Sequence, residues 1–130
     1  MARAKNKLVM PFLKWVGGKR QLMNDIEPLI PSKISTYYEP FIGGGAVLLN
    51  QQPKKAVVND YNAELINVYK MVRDHVEELI EDLATHENES EYFYRIRVQD
   101  REEGFENLSA LKRASRVIYL NKTCFNGLYR

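Results

Sequence analysis

Apolar positions in the second half of the chain recur at helical spacing, whereas two short stretches in the first half are β-prone. Leu22, Ile26, Leu29 and Ile30 fall at i, i+4, i+7 and i+8, which predicts a helix. Its regular part should end at or just before Glu27, because Pro28 disfavours helical geometry in the residue ahead of it. Thr36-Tyr37-Tyr38-Glu39-Pro40 reads as a short strand that runs into the glycine turn Phe41-Ile42-Gly43-Gly44-Gly45. Ala46 to Gln51 predicts a helix stopped by Pro53, and Lys55 to Asp60 a second strand. Strand, glycine turn, helix, strand is a βαβ unit, so the expected class is α/β of the doubly wound, Rossmann-like kind.

Past that unit the periodicity is helical. Asn62 caps a predicted helix through about Val72, and Val76, Leu79, Ile80 and Leu83 form an apolar stripe on the next. A third is expected from near Glu91 to Arg101 with a break around Gly104, and a fourth carries Leu111, Ala114 and Ile118. The first seven residues read as a loose basic tail, and Met10 to Gly18 as a loop built around Trp15. Two parallel strands cannot bury both faces and both edges, so a complete doubly wound domain is expected to need further strands after Arg130.

Composition narrows this picture only a little. With 130 residues, 45% of them hydrophobic, the chain suits one globular core or a piece of one. A single cysteine, Cys124, excludes an intrachain disulfide, no signal-like segment opens the chain, and no apolar run approaches the roughly 20 residues of a membrane span. A reducing, cytoplasmic setting is the expectation. The net charge of +2 is modest but unevenly placed. Arg3, Lys5, Lys7, Lys14, Lys19 and Arg20 lie near the start, and Lys112, Arg113, Arg116, Lys122 and Arg130 near the finish. Acidic residues from Asp74 to Glu91 lie between them. If the basic ends meet they form a phosphate-facing surface; otherwise these are solvated helix faces.

The strongest chemical constellation is the glycine turn followed by Asp60. Glycines at the end of a first strand let the backbone approach a nucleotide-like ligand, and an acid ending the second strand accepts hydrogen bonds from ribose hydroxyls. Leu48 replaces the third glycine of the dinucleotide fingerprint, which disfavours a nicotinamide cofactor and favours a ligand without pyrophosphate. Trp15-Val16-Gly17-Gly18-Lys19 is not a phosphate loop: the earlier glycine is missing, Arg20 stands where Ser or Thr belongs, and no strand precedes it. It leaves an aromatic and a cation four residues apart, able to cover a ring and reach a carboxylate, or equally a packed Trp beside a surface Lys.

Three stretches together resemble the Dam-like, D12-class adenine-specific DNA methyltransferases. Phe12-Leu13-Lys14-Trp15-Val16-Gly17-Gly18-Lys19 is similar to the family's opening motif, and Glu39-Pro40-Phe41-Ile42-Gly43-Gly44-Gly45 to its cofactor motif. Asn121-Lys122-Thr123-Cys124-Phe125-Asn126-Gly127-Leu128-Tyr129-Arg130 resembles a signature near its DNA-contacting hairpin. The resemblance implies a partial S-adenosylmethionine-dependent methyltransferase domain that acts on duplex DNA and uses no metal. It implies that Trp15 and Lys19 contact S-adenosylmethionine, that Phe41, Gly43 and Gly45 shape its pocket, and that Asp60 holds the ribose. Phe125 and Asn126 would wedge into or beside the duplex, and Leu128 and Arg130 would approach base edges. By their residue type alone Phe125 and Leu128 read as core.

The family also uses an Asp or Asn followed by Pro-Pro and an aromatic to hold the adenine amine. The five prolines here are Pro11, Pro28, Pro31, Pro40 and Pro53, and none are adjacent, so no catalytic residue is assigned. By the resemblance that motif is expected beyond Arg130, and this chain alone is expected to be inactive. Residues 1–73 are then expected to begin the cofactor-binding domain, and residues 74–130 to form a helical segment leading into the DNA target-recognition region. The alternative is a non-catalytic module that binds DNA or S-adenosylmethionine.

Overall fold

The computed structural model describes residues 4–128. The chain divides into two units, one ending at Tyr61 and the next beginning at Asn62.

The first unit is built on the predicted βαβ arrangement. A 3-10 turn at Arg20–Leu22, helix α1 (Met23–Ile26) and a second 3-10 turn at Glu27–Leu29 replace the regular helix expected there. The α-helical part stops before Pro28 as its geometry requires, and none of these residues is buried. Strand β1 (Tyr37–Glu39), helix α2 (Ala46–Gln51) and strand β2 (Ala56–Val58) follow. The strands are parallel, with Tyr37, Tyr38 and Glu39 opposite Ala56, Val57 and Val58. Pairing continues past the strands, because Asn59 N–H donates to Glu39 O at 2.8 Å and Ile42 N–H to Asn59 O at 2.9 Å. Leu13, Ile42, Ala46 and Val47 form the apolar core of this unit.

The expected loose tail is tied down where it is described. Asn6 N–H donates to Gln52 Oε1 at 2.9 Å and Gln52 Nε2 donates back to Asn6 O at 2.8 Å, while Lys5 faces Glu27 at 3.6 Å. Gln52 ends α2 in the left-handed region, at φ 49°, which turns its side chain into this reciprocal pair instead of another helical turn.

The second unit is helical: α3 (Ala63–Asp74), α4 (Val76–Leu83), α5 (Ser90–Val98) and α6 (Ala110–Thr123). Asn62 caps α3 as its position predicts, its Oδ1 accepting from Leu65 N–H at 3.1 Å, and Ser109 caps α6 by accepting from Lys112 N–H at 3.2 Å. Helix α6 packs against α3, α4 and α5, so all eight residues from Ala114 to Asn121 are buried. Leu65, Val68 and Leu79 complete the core around it.

Helix α4 departs from its expected stripe. Val76 and Ile80 are exposed; Leu79 and Asp82 are the buried residues, and Asp82 pairs with Lys112 of α6. Arg116 is buried against carbonyls of α5, which corrects the phosphate-facing reading for that residue, while Lys112 and Arg113 pair with Asp82 and Glu64 and stay partly exposed. Among the described residues no helix is long and apolar enough to cross a membrane.

Candidate functional site

The glycine turn of the first unit brings the six predicted cofactor residues together. Gly45 N–H closes the turn on Ile42 O at 2.9 Å, and Gly43 and Gly45 take left-handed φ values of 52° and 79°. Asp60, just past β2, fixes the turn from the other side: its Oδ2 accepts from Gly43 N–H at 3.0 Å.

Trp15 explains why two of the glycines carry no side chain. A Cβ on Gly43 would lie 3.3 Å from Trp15 Cδ1, and one on Gly44 would lie 3.3 Å from Trp15 Cβ and 3.4 Å from Leu13 O. The indole therefore lies against the turn, half-buried, in a loop closed by Gly18 N–H on Trp15 O at 3.0 Å.

Lys19 ties the opening motif to the same place. Its Nζ donates to Phe41 O at 2.6 Å and faces Glu39 Oε1 at 3.5 Å. Glu39 is 6% exposed and also accepts from the Tyr37 hydroxyl, at 2.7 Å on Oε2. Burial, reinforced by the hydrogen bond and charge of Glu39, pushes the Tyr37 phenol above its ordinary value. The Phe41 ring is exposed beside the turn. Tyr37 and Glu39 were not among the predicted site residues. The available signal was a carboxylate two residues after a tyrosine on one strand, which places both on the same face.

The predicted DNA-contacting residues lie in the second unit, on a 3-10 turn at Phe125–Gly127. Phe125 is 82% exposed and Leu128 is exposed too, which overturns the core reading of both. Asn126 stands in the left-handed region at φ 51°, and Asn121, buried at the end of α6, donates to Gly127 O at 3.4 Å. Phe125 and Leu128 border a groove of about 320 Å³ with Tyr94, Arg97 and Cys124. Arg130 lies outside the described residues.

A parallel strand pair with a glycine turn and an acid at its carboxyl end defines a mixed α/β protein. The chain matches the model of the D12 class N6 adenine-specific DNA methyltransferases over residues 15–130, and it belongs to that family. It is 48% identical over 129 residues to the type II methyltransferase M1.LlaDCHI of Lactococcus lactis subsp. cremoris, covering 97% of this chain and 45% of that one. It is 39% identical over 140 residues to the type II methyltransferase M.MjaIII of Methanocaldococcus jannaschii, covering 94% and 48%. The DNA adenine methylase of Haemophilus influenzae is 37% identical over 125 residues, covering 92% and 42%. The chain thus spans just under half the length of these relatives.

Proposed function

We propose that this chain supplies the S-adenosylmethionine site, and the start of the DNA-contacting region, of an enzyme that methylates the exocyclic amine of adenine in duplex DNA. The observation that carries the reading is the Asp60 carboxylate held on the Gly43 amide with Trp15 against the same turn, in a chain of the D12 family. We take the two strands as the first part of a doubly wound sheet.

The residues present fit that cofactor better than a dinucleotide. Asp60 beside the turn offers an acceptor to ligand hydroxyls, and Leu48 stands where a dinucleotide site has its third glycine. In this reading Asp60 accepts from the ribose, Trp15 and Phe41 flank the apolar part, and Lys19 meets the amino-acid carboxylate. Gly43 and Gly45 admit the ligand close to the backbone. The bound cofactor supplies a methyl group made electrophilic by a sulfonium.

The Pro-Pro-aromatic motif implied by the family resemblance does not occur in these 130 residues. The part proposed for this chain is therefore binding and placement. Phe125 and Asn126 are proposed to meet the duplex, supported by the exposed ring on a turn whose backbone Asn126 and Gly127 hold left-handed. Leu128 and Arg130 are proposed to approach base edges.

Calorimetric titration of the chain with S-adenosylmethionine tests the site. Asp60→Ala removes an acceptor whose charged hydrogen bond is worth about 1.5–3 kcal/mol, so affinity should fall roughly ten- to a hundred-fold. Unchanged affinity in both Asp60→Ala and Trp15→Ala, with circular dichroism showing both folded, would sink the reading. Tighter binding of NAD than of S-adenosylmethionine would do the same.

A further inference from the structure

Resting on that reading of the site, we infer that Tyr37 is a positioning residue for the cofactor's amino-acid carboxylate, acting through Glu39 on Lys19. Tyr37 and Glu39 are two apart on β1 and share a face, so the phenol reaches forward along the strand to the carboxylate. The two oxygens of Glu39 are thereby divided: Oε2 takes the Tyr37 hydroxyl at 2.7 Å, and Oε1 faces Lys19 at 3.5 Å.

Lys19 has three donors. One is on Phe41 O at 2.6 Å, Glu39 balances the charge, and the side chain is still 35% exposed. An ammonium held this way keeps a face toward solvent beside the glycine turn, where a ligand carboxylate would meet it. The phenol stays protonated at working pH, since burial and Glu39 push it above its ordinary value, and so it remains the donor.

Without that hydroxyl, a buried carboxylate loses one of its hydrogen bonds and must recover it from the nearest donor. That donor is Lys19. Drawn onto Glu39, the ammonium leaves Phe41 O and turns from the solvent side. The effect should be selective, because only a ligand with an amino-acid carboxylate depends on where the ammonium points.

The test compares S-adenosylmethionine with 5′-methylthioadenosine, which keeps the nucleoside and lacks the amino-acid part. Tyr37→Phe should weaken S-adenosylmethionine about ten-fold and leave methylthioadenosine within about two-fold. Lys19→Met should show the same selectivity, and the double variant should lose little more than either single one, as expected of residues acting in series. Equal losses for both ligands would make Tyr37 merely structural and overturn the inference, as would no loss for either. Should Tyr37→Phe fail to fold, Lys19→Met decides: unchanged S-adenosylmethionine affinity in that variant overturns the inference. A parent chain that binds neither ligand removes the cofactor reading itself. Parent binding with an unselective variant removes only the role of Tyr37.

Discussion

Arg116→Met should destabilise the helical unit by about 1.5–3 kcal/mol, the range of hydrogen bonds made by a charged group. The Arg116 side chain is only 5% exposed. Its Nε donates to Ile96 O at 3.0 Å, and its Nη2 donates to Arg97 O at 2.9 Å and lies 3.2 Å from Asp100 Oδ1. Ile96 and Arg97 are in the last turn of α5, where Ile96 O also accepts from the Gln99 N–H, and the one guanidinium bridges both carbonyls. Phe105 lies beneath it, with the guanidinium carbon 5.3 Å from the ring centroid. Methionine fills the volume but donates nothing. Lysine keeps the charge without the planar fork that spans two carbonyls and a carboxylate, so Arg116→Lys should fall between. Urea unfolding followed by far-ultraviolet circular dichroism measures this as a lower midpoint at unchanged slope. A Met variant within about 0.5 kcal/mol of the parent, the range typical of surface substitutions, would show that the bridge contributes little.

The second large effect centres on His86. Its Nε2 lies 2.8 Å from Ser115 Oγ and its Nδ1 lies 2.7 Å from the Tyr92 hydroxyl, while the ring stacks on Tyr119 at 4.5 Å. Ser115 and Tyr92 can each donate or accept, so in either tautomer both ring nitrogens are satisfied. His86→Ala removes two hydrogen bonds and a stacked ring, about 1 kcal/mol each, for a loss of about 3 kcal/mol at neutral pH.

The same cluster sets an acid dependence. Burial, the largest influence, together with the charge of Lys112, holds the imidazole below its ordinary value of 6.5 against the opposing pull of Asp82. Burial alone would raise the Asp82 carboxyl. The hydrogen bonds from Lys112 and Ser115, with the charges of Lys112 and His86, outweigh it and hold Asp82 below its ordinary 3.8. Glu87 and Arg95 also act on Tyr92 at the edge of the cluster. Both depressed groups bind protons more readily in the unfolded chain. Stability should thus be level above pH 6.5, decline below it as His86 is drawn toward protonation, and decline again below 3.8 through Asp82. In His86→Ala the first decline should flatten while the second persists. Denaturation midpoints measured from about pH 7.5 to 2.5 check this, and an equally steep fall near pH 6 in the variant would clear His86 of the role.

The elements that local chemistry governs are legible in the sequence. The glycine turn, the span of α2, the Asn62 cap and the stop before Pro28 depend on residues within a few positions of one another. Spacing alone also brought Gly43 and Asp60 into one site, 17 residues apart. What escaped depends on distant partners. Asp82 is polar at a buried position of α4 because Lys112 and Ser115, about thirty residues on, satisfy it, and no periodicity within α4 reveals them. Arg116 escaped for a similar reason, since the groups it serves are backbone carbonyls, which have no letter in a sequence. Phe125 reads as core by its type, yet stands exposed because the short turn after α6 carries it outward. Within the site, Trp15 and Lys19 were legible as a pair, whereas the Tyr37–Glu39 contact that shares the lysine was not.

Helix α6 has a consequence for how insertions are tolerated. Surface helices absorb an extra residue by fraying or by sliding an exposed face, but Ala114 to Asn121 has no exposed face to slide. One added residue there would rotate everything beyond it by about 100° and advance it by about 1.5 Å. The helix therefore works as an indexed spindle: the packing around Ser115, Val117 and Leu120 sets the compass bearing at which Phe125 leaves the unit. Length changes should accumulate instead in the stretch between Arg101 and Ser109, where short turns can take up a residue without altering that bearing.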